Sequence, residues 1–182
     1  MPPERSSAEA TPPVNPFTAA DVVDILRERG WLSSDPSPEH LTWCAHAAAL
    51  LGAQTADRNT LADLLHLVFY YDAAALMANV ETHAILARYA ARDVLREVAL
   101  ALLDGGPLTS QHFKEIIDAM KFSLDLRGRD LFHPLRLALA GRTGDGELDR
   151  VILLLDGAAA LPFDSPVKSA RRRILEFCAA LD

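Results

Sequence analysis

Apolar residues recur at intervals of three and four along nearly the whole chain, and Gly, Pro and hydroxyl residues interrupt them repeatedly. That spacing builds one buried face per helix, and no strand-length segment is read better as alternation. Thr18 caps a first helix through Val22, Val23, Ile25 and Leu26 that stops at Gly30, with Trp31 and Leu32 packing its exit. A second helix carries Leu41, Ala45, Ala48 and Ala49 and ends near Gly52. A third starts at Asn59 or Thr60 and contains Leu61, Leu64, Leu65, Val68 and Phe69. The pattern then predicts one long helix over residues 80–103, with Ile85, Leu86, Tyr89, Val94, Leu95, Val98 and Leu102 as its apolar stripe.

Gly105, Gly106 and Pro107 form the sharpest internal break. Beyond it, Thr109 or Ser110 caps a helix containing Phe113, Ile116, Ile117 and Met120. Further helices are expected over residues 131–140, ending at Gly141, and over 147–155, closed by Gly157. Ser165 as N-cap and Pro166 in the first turn open a final helix to Ala180. The apolar run 151–155 admits a buried strand, but its flanking acids and Gly157 favour a helix. The expected architecture is all-α: a helical bundle of two subdomains, residues 17–104 and 107–182, behind a disordered N-terminal segment, 1–16.

Hydrophobic residues make up 50% of the chain, enough to build a core without staples. No run of eighteen apolar residues occurs, so no membrane span is expected. The first residues lack a basic start followed by an apolar stretch, which argues against a secretory signal. Cys44 and Cys178 are far apart and form no Cys-x-x-Cys pair, as in proteins of a reducing compartment. The expected location is the cytoplasm.

The chemistry of enzymes is hard to find. His40, His46, His66, His83, His112 and His133 form no metal-binding spacing, and His40 with Cys44 is read as an ordinary helical pair. There is no nucleophile elbow, phosphate loop or dinucleotide fingerprint. The glycine-rich segment 141–146 comes after a helix and lacks the Gly-Lys-Ser/Thr ending, so it reads as a turn. Asp57 with Asp63, and Glu115 with Asp118, read as solvated faces. No cofactor or metal is expected.

Net charge is -7, which argues against strong non-specific binding to phosphates. The distribution is uneven. Residues 127–142 hold Arg127, Arg129, Arg136 and Arg142 against one acid, Asp130. Residues 168–173 hold Lys168, Arg171, Arg172 and Arg173 against none.

The most specific string is Gly-Arg-Asp-Leu-Phe-His-Pro-Leu-Arg-Leu-Ala-Leu-Ala-Gly-Arg at residues 128–142. Leu131, Phe132, Leu135 and Leu139 give it an apolar face, and Pro134 falls in the first turn, where its missing N–H costs nothing. This string resembles the signature of bacterial-type glutamyl-tRNA synthetases, in their C-terminal anticodon-binding part. Gly128, Leu131, Phe132, Pro134, Leu135, Arg136, Ala138, Leu139, Gly141, Arg142 and Thr143 match it. Glu147, Leu148 and the run 153–157 are similar to the Glu-Leu and the apolar helix that come after the signature in that family. Upstream, Thr60-Leu61-Ala62-Asp63-Leu64 and the later Phe69-Tyr70-Tyr71-Asp72 look like its Thr-Leu helix and aromatic triplet. The resemblance covers roughly residues 18–163.

The resemblance implies a helical tRNA-binding fold and tRNA as candidate partner. The candidate contacts are Arg58, Arg127, Arg129, His133, Arg136, Arg142, Lys168, Arg171, Arg172 and Arg173, with an aromatic or His133 stacking on an unpaired base. The family's catalytic His-x-Gly-His and Lys-x-Ser-Lys motifs are missing, so a non-catalytic module is expected. Asp57 and Asn59 stand where the family commonly has Arg and Lys, and Ala140, His133 and Asp145-Gly146 also depart from it. Three roles are compatible with this: a tRNA-binding module, a synthetase-like scaffold that no longer binds RNA, or a subunit acting in trans with a separate catalytic chain. The scaffold reading offers Ile174, Leu175 and Phe177 on the final helix as a docking strip.

Overall fold

The computed structural model describes residues 15–182, and among them the secondary structure is ten helices with no strand. Most of the expected disordered lead-in lies outside the described residues. Of its last two residues, Asn15 is held in place, its Nδ2 donating to the carbonyl of Ala48 at 2.7 Å.

The first three helices obey their signals. Helix α1 (Ala19–Glu28) has Thr18 as N-cap in a capping box with Asp21, and Gly30 turns the chain out at φ 73°. Helix α2 (Pro38–Gly52) starts at the Ser37 cap. Its buried face is His40, Trp43, Cys44, Ala47, Ala48 and Leu51, while Leu41, Ala45 and Ala49 face solvent. The two aromatic rings outweigh the small apolar residues in choosing the face. Helix α3 (Arg58–Phe69) begins one residue before the expected start. Its cap is Asp57, whose Oδ1 accepts from the Thr60 N–H at 2.8 Å. The acid that stands where a base was expected therefore starts the helix.

The next stretch departs from the sequence pattern. A short helix α4 (Ala73–Met77), capped by Asp72, had no periodic signal. The long helix expected over 80–103 is two, α5 (Val80–Leu86) and α6 (Ala91–Asp104). Between them Ala90 takes φ 58°, a left-handed conformation that costs an L-residue about 1–2 kcal/mol. No Gly or Pro marks the break. Tertiary packing imposes it, because α5 sits on α4 as well as on the helix of residues 129–140, while α6 runs along that helix and the last one, residues 170–181. Tyr89, expected in the apolar stripe, is expelled and is 84% exposed.

Helix α7 (Ser110–Ser123) is capped by Thr109, α8 (Arg129–Ala140) ends at Gly141 with φ 79°, and α9 (Gly146–Ala159) comes after the glycine-rich turn. Gly157 does not close α9. It lies inside the helix, and a Cβ there would stand 3.2 Å from Trp43 Cδ1. Its role is to admit the indole. Helix α10 (Ala170–Leu181) starts from Ser169, later than the Ser165–Pro166 signal.

Helices from both sides of residues 105–107 interleave. Helix α9 packs on α2 and α3, and α6 packs on α8 and α10. One contiguous apolar cluster runs through all of them. At its α2–α3–α9 end, Trp31 stacks on Phe69 at 4.5 Å, and Phe163 meets Phe69 and Trp43 edge-on at 5.1 and 5.4 Å. Trp43 Nε1 donates to the Leu154 carbonyl at 3.2 Å, so the buried N–H is satisfied. Burial in this core pushes the Cys44 thiol up to about 11, and no disulfide forms among the described residues.

Candidate nucleic-acid interface

The face that brings cations and aromatics together is built on α8. Gly128, at φ 57°, turns the chain into this helix, and Leu131, Leu135 and Leu139 anchor it in the core. The 3.6-residue period then leaves Arg129, Phe132 and His133 on the outer side. Arg88, from the α5–α6 elbow, reaches across and donates Nη1 to His133 Nδ1 at 3.1 Å. Because a guanidinium can only donate, Nδ1 is the acceptor and the ring's proton sits on Nε2. Partial burial first, then the positive charges of Arg88, Arg129 and Arg136, hold the His133 pKa below the ordinary histidine value. The imidazole is thus a neutral plane set among cations. Beside it, Phe132 carries the Arg136 guanidinium 4.5 Å and the Lys121 ammonium 6.0 Å from its centroid.

Arg136 is half of this face and half of the framework. Its Nε and Nη2 donate to Asp149 on α9 at 2.8 and 2.9 Å, and Nη1 donates to the Gly144 carbonyl at 2.8 Å. The side chain is nearly buried. It ties the glycine-rich turn between α8 and α9 to both helices.

Other expected contacts are placed differently. Arg127, Arg129, Arg142 and Arg171 are exposed, with no carboxylate within ion-pair distance among the described residues. Arg171 lies away from the His133 face, in a cleft lined by residues 105–107 and Asp156. Arg58 is taken by Glu28 in a two-pronged pair at 2.8 and 2.7 Å. Lys168 and Arg172 both bond Glu176, at 2.7 and 2.9 Å.

Arg173 must be withdrawn from any RNA-facing set. It is fully buried, and its three nitrogens donate to the carbonyls of Lys168, Leu67, Leu139 and Val68 at 2.7–3.1 Å. Leu67 and Val68 end α3 and Leu139 ends α8, so these carbonyls have no partner within their own helices. Tyr71 completes the arrangement. Its hydroxyl donates to the Ala138 carbonyl, and its ring lies 4.7 Å from the guanidinium. Burial lowers the Arg173 pKa to about 10, yet it stays charged at neutral pH, facing the negative ends of two helices. The docking strip fails for the same reason: Ile174 and Phe177 are fully buried, and only Leu175 is exposed.

Sequence reasoning missed Arg88, Tyr89 and Lys121. Tyr89 read as core because nothing local announces the elbow. Arg88 and Lys121 are single cations that only the tertiary fold brings to His133 and Phe132 on α8. No group of residues able to hold a metal ion occurs among the described residues.

The all-helical fold and the α8 string define a class. Residues 18–158 match the anticodon binding domain family, and the chain belongs to that family. Among curated proteins it is 29% identical over 131 residues to the glutamate–tRNA ligase of Exiguobacterium sibiricum, covering 72% of this chain and 27% of that protein. It is also 29% identical over 130 residues to the glutamate–tRNA ligase of Geobacillus stearothermophilus, covering 71% of this chain and 26% of that protein. A glutamate–tRNA ligase 2 of Syntrophus aciditrophicus is 32% identical over 85 residues, 46% of this chain and 15% of that one. The first two matches each span only about a quarter of the ligase. No solved structure matches the chain significantly. Among the described residues no helix is long and apolar enough to cross a membrane.

Proposed function

We propose that this chain is a non-catalytic tRNA-binding module that works in the cytoplasm, alone or in trans with a separate catalytic chain. The observation that carries the reading is the His133 face. It lies on the helix that holds the family string, and it combines exposed guanidinium groups with a neutral imidazole and an aromatic ring. Guanidinium groups suit phosphates, and flat rings suit unpaired bases. Arg88, Arg127, Arg129 and Arg142 are the proposed phosphate contacts, with His133 as a stacking surface. Binding to unfractionated tRNA at about 50 and 200 mM salt tests this, since several phosphate contacts lose affinity steeply over that range. Tight binding at low salt that collapses at high salt is expected. No binding at low salt would overturn the proposal.

A second reading has an observation in its favour. Arg58, Arg136, Lys168 and Arg172 are committed to carboxylates, and Arg173 is buried, in a chain of net charge -7. A scaffold that kept the fold and lost RNA accounts for those pairs. It predicts a protein partner and no salt-sensitive affinity for tRNA.

A further inference from the structure

The α5–α6 elbow combines a strained backbone with an aromatic side chain that the fold does not use. Ala90 is held at φ 58° without a glycine. Tyr89 is 84% exposed, although the residues before and after it on the same stripe, Ile85, Leu86, Val94 and Leu95, are buried. Strain of this kind persists only where surrounding structure imposes it, and it collects at working sites. Its sequence neighbours Arg88 and Arg92 are exposed cations, and Arg88 is already fixed to His133 at 3.1 Å. An exposed aromatic ring on an elbow whose neighbouring guanidinium reaches the His133 face offers what single-stranded nucleic acid uses: a ring for a base and cations for the backbone.

Resting on the tRNA-binding reading, we propose that Tyr89 is a stacking platform for one unpaired base of the bound RNA, with Arg88 beside it for the flanking phosphate. The elbow thus extends the interface by one nucleotide beyond α8. A protein docking on the same ring would need no unpaired base, which gives the test its contrast.

The full-length chain and its Tyr89→Phe and Tyr89→Leu variants are titrated with two RNAs of equal length, a stem-loop with an unpaired loop and a fully paired duplex. The ring is exposed, so thermal melting of both variants should match the unaltered chain. Tyr89→Phe should hold the stem-loop as the unaltered chain does. Tyr89→Leu should bind it roughly ten-fold more weakly, as loss of one base–aromatic stack requires, while duplex binding is unchanged. A fluorescent adenine analogue in the loop should be quenched by the Tyr and Phe forms and not by Leu. Equal stem-loop binding by Tyr89→Leu, or equal losses on both RNAs, would overturn the stacking assignment alone. If the unaltered chain binds neither RNA, the tRNA reading falls and this assignment falls with it.

Discussion

Two cationic stretches, residues 127–142 and 168–173, look alike in sequence and do opposite work in the fold. In the first, Arg127, Arg129 and Arg142 point outward, and only Arg136 is turned into the framework. In the second, Arg173 is sealed inside, Lys168 and Arg172 are held by Glu176, and Arg171 alone is exposed and unpaired among the described residues. The denser run therefore presents less charge. Cations become surface charge only where no nearby acceptor claims them. The N-terminal half of α10 lies against carbonyls left open at two helix ends, whereas the outer side of α8 meets other cations.

The comparison can be broken most directly at Arg173. Arg173→Met keeps much of the stem volume and leaves two buried and two part-buried carbonyls without their donor; at about 1–3 kcal/mol for each buried group left unsatisfied, the loss should be at least about 2 kcal/mol in urea unfolding. Loss of less than 1 kcal/mol would mean that the carbonyls find water. Tyr71→Phe removes one buried hydroxyl from the same cluster and should cost about 1–2 kcal/mol, measured the same way. On the α8 side, Arg129→Ala should leave stability within about 0.5 kcal/mol and reduce the slope of log affinity for tRNA against log salt by about one. A stability loss without a change in slope would make Arg129 a framework residue like Arg136. Arg172→Ala, at an exposed ion pair, should change stability by less than about 1 kcal/mol and leave the salt slope unaltered.

The smallest expected effect concerns pH. His133 titrates below its unfolded value of 6.5, so the native state binds its proton less readily than the unfolded chain. Its contribution is present above that pH and lost as pH falls toward the native value. Unfolding measured at pH 7 and pH 5 should therefore show a slightly steeper acid loss for the unaltered chain than for His133→Asn. The opposite order would place a carboxylate against the ring.

The fold was legible where caps and periodicity agree. Thr18, Thr109 and Gly141 mark helix ends that the structure keeps, and the α8 string pointed to the helix on which the cationic face is built. What was not legible depends on partners distant in sequence. The elbow at Ala90 has helix-forming neighbours and breaks because α5 must meet α4 and α6 must meet α10 while both stay on α8. Gly157 looked like a stop because its purpose is the Trp43 ring, more than a hundred residues away. Arg173 looked like a phosphate contact because its acceptors, backbone carbonyls, leave no trace in side-chain composition. Arg88 escaped notice because only the fold brings it to His133, and Tyr89 read as core because nothing local announces the elbow.

Arg173 also sets an order of events during synthesis. The carbonyls of Leu67 and Val68 leave the ribosome more than a hundred residues before the side chain that satisfies them. Until α10 emerges, the end of α3 keeps these acceptors open and Tyr71 lacks the guanidinium that lies against its ring. Nine of the ten described helices thus precede the one whose side chain satisfies those acceptors, so this part of the core is completed only when α10 docks.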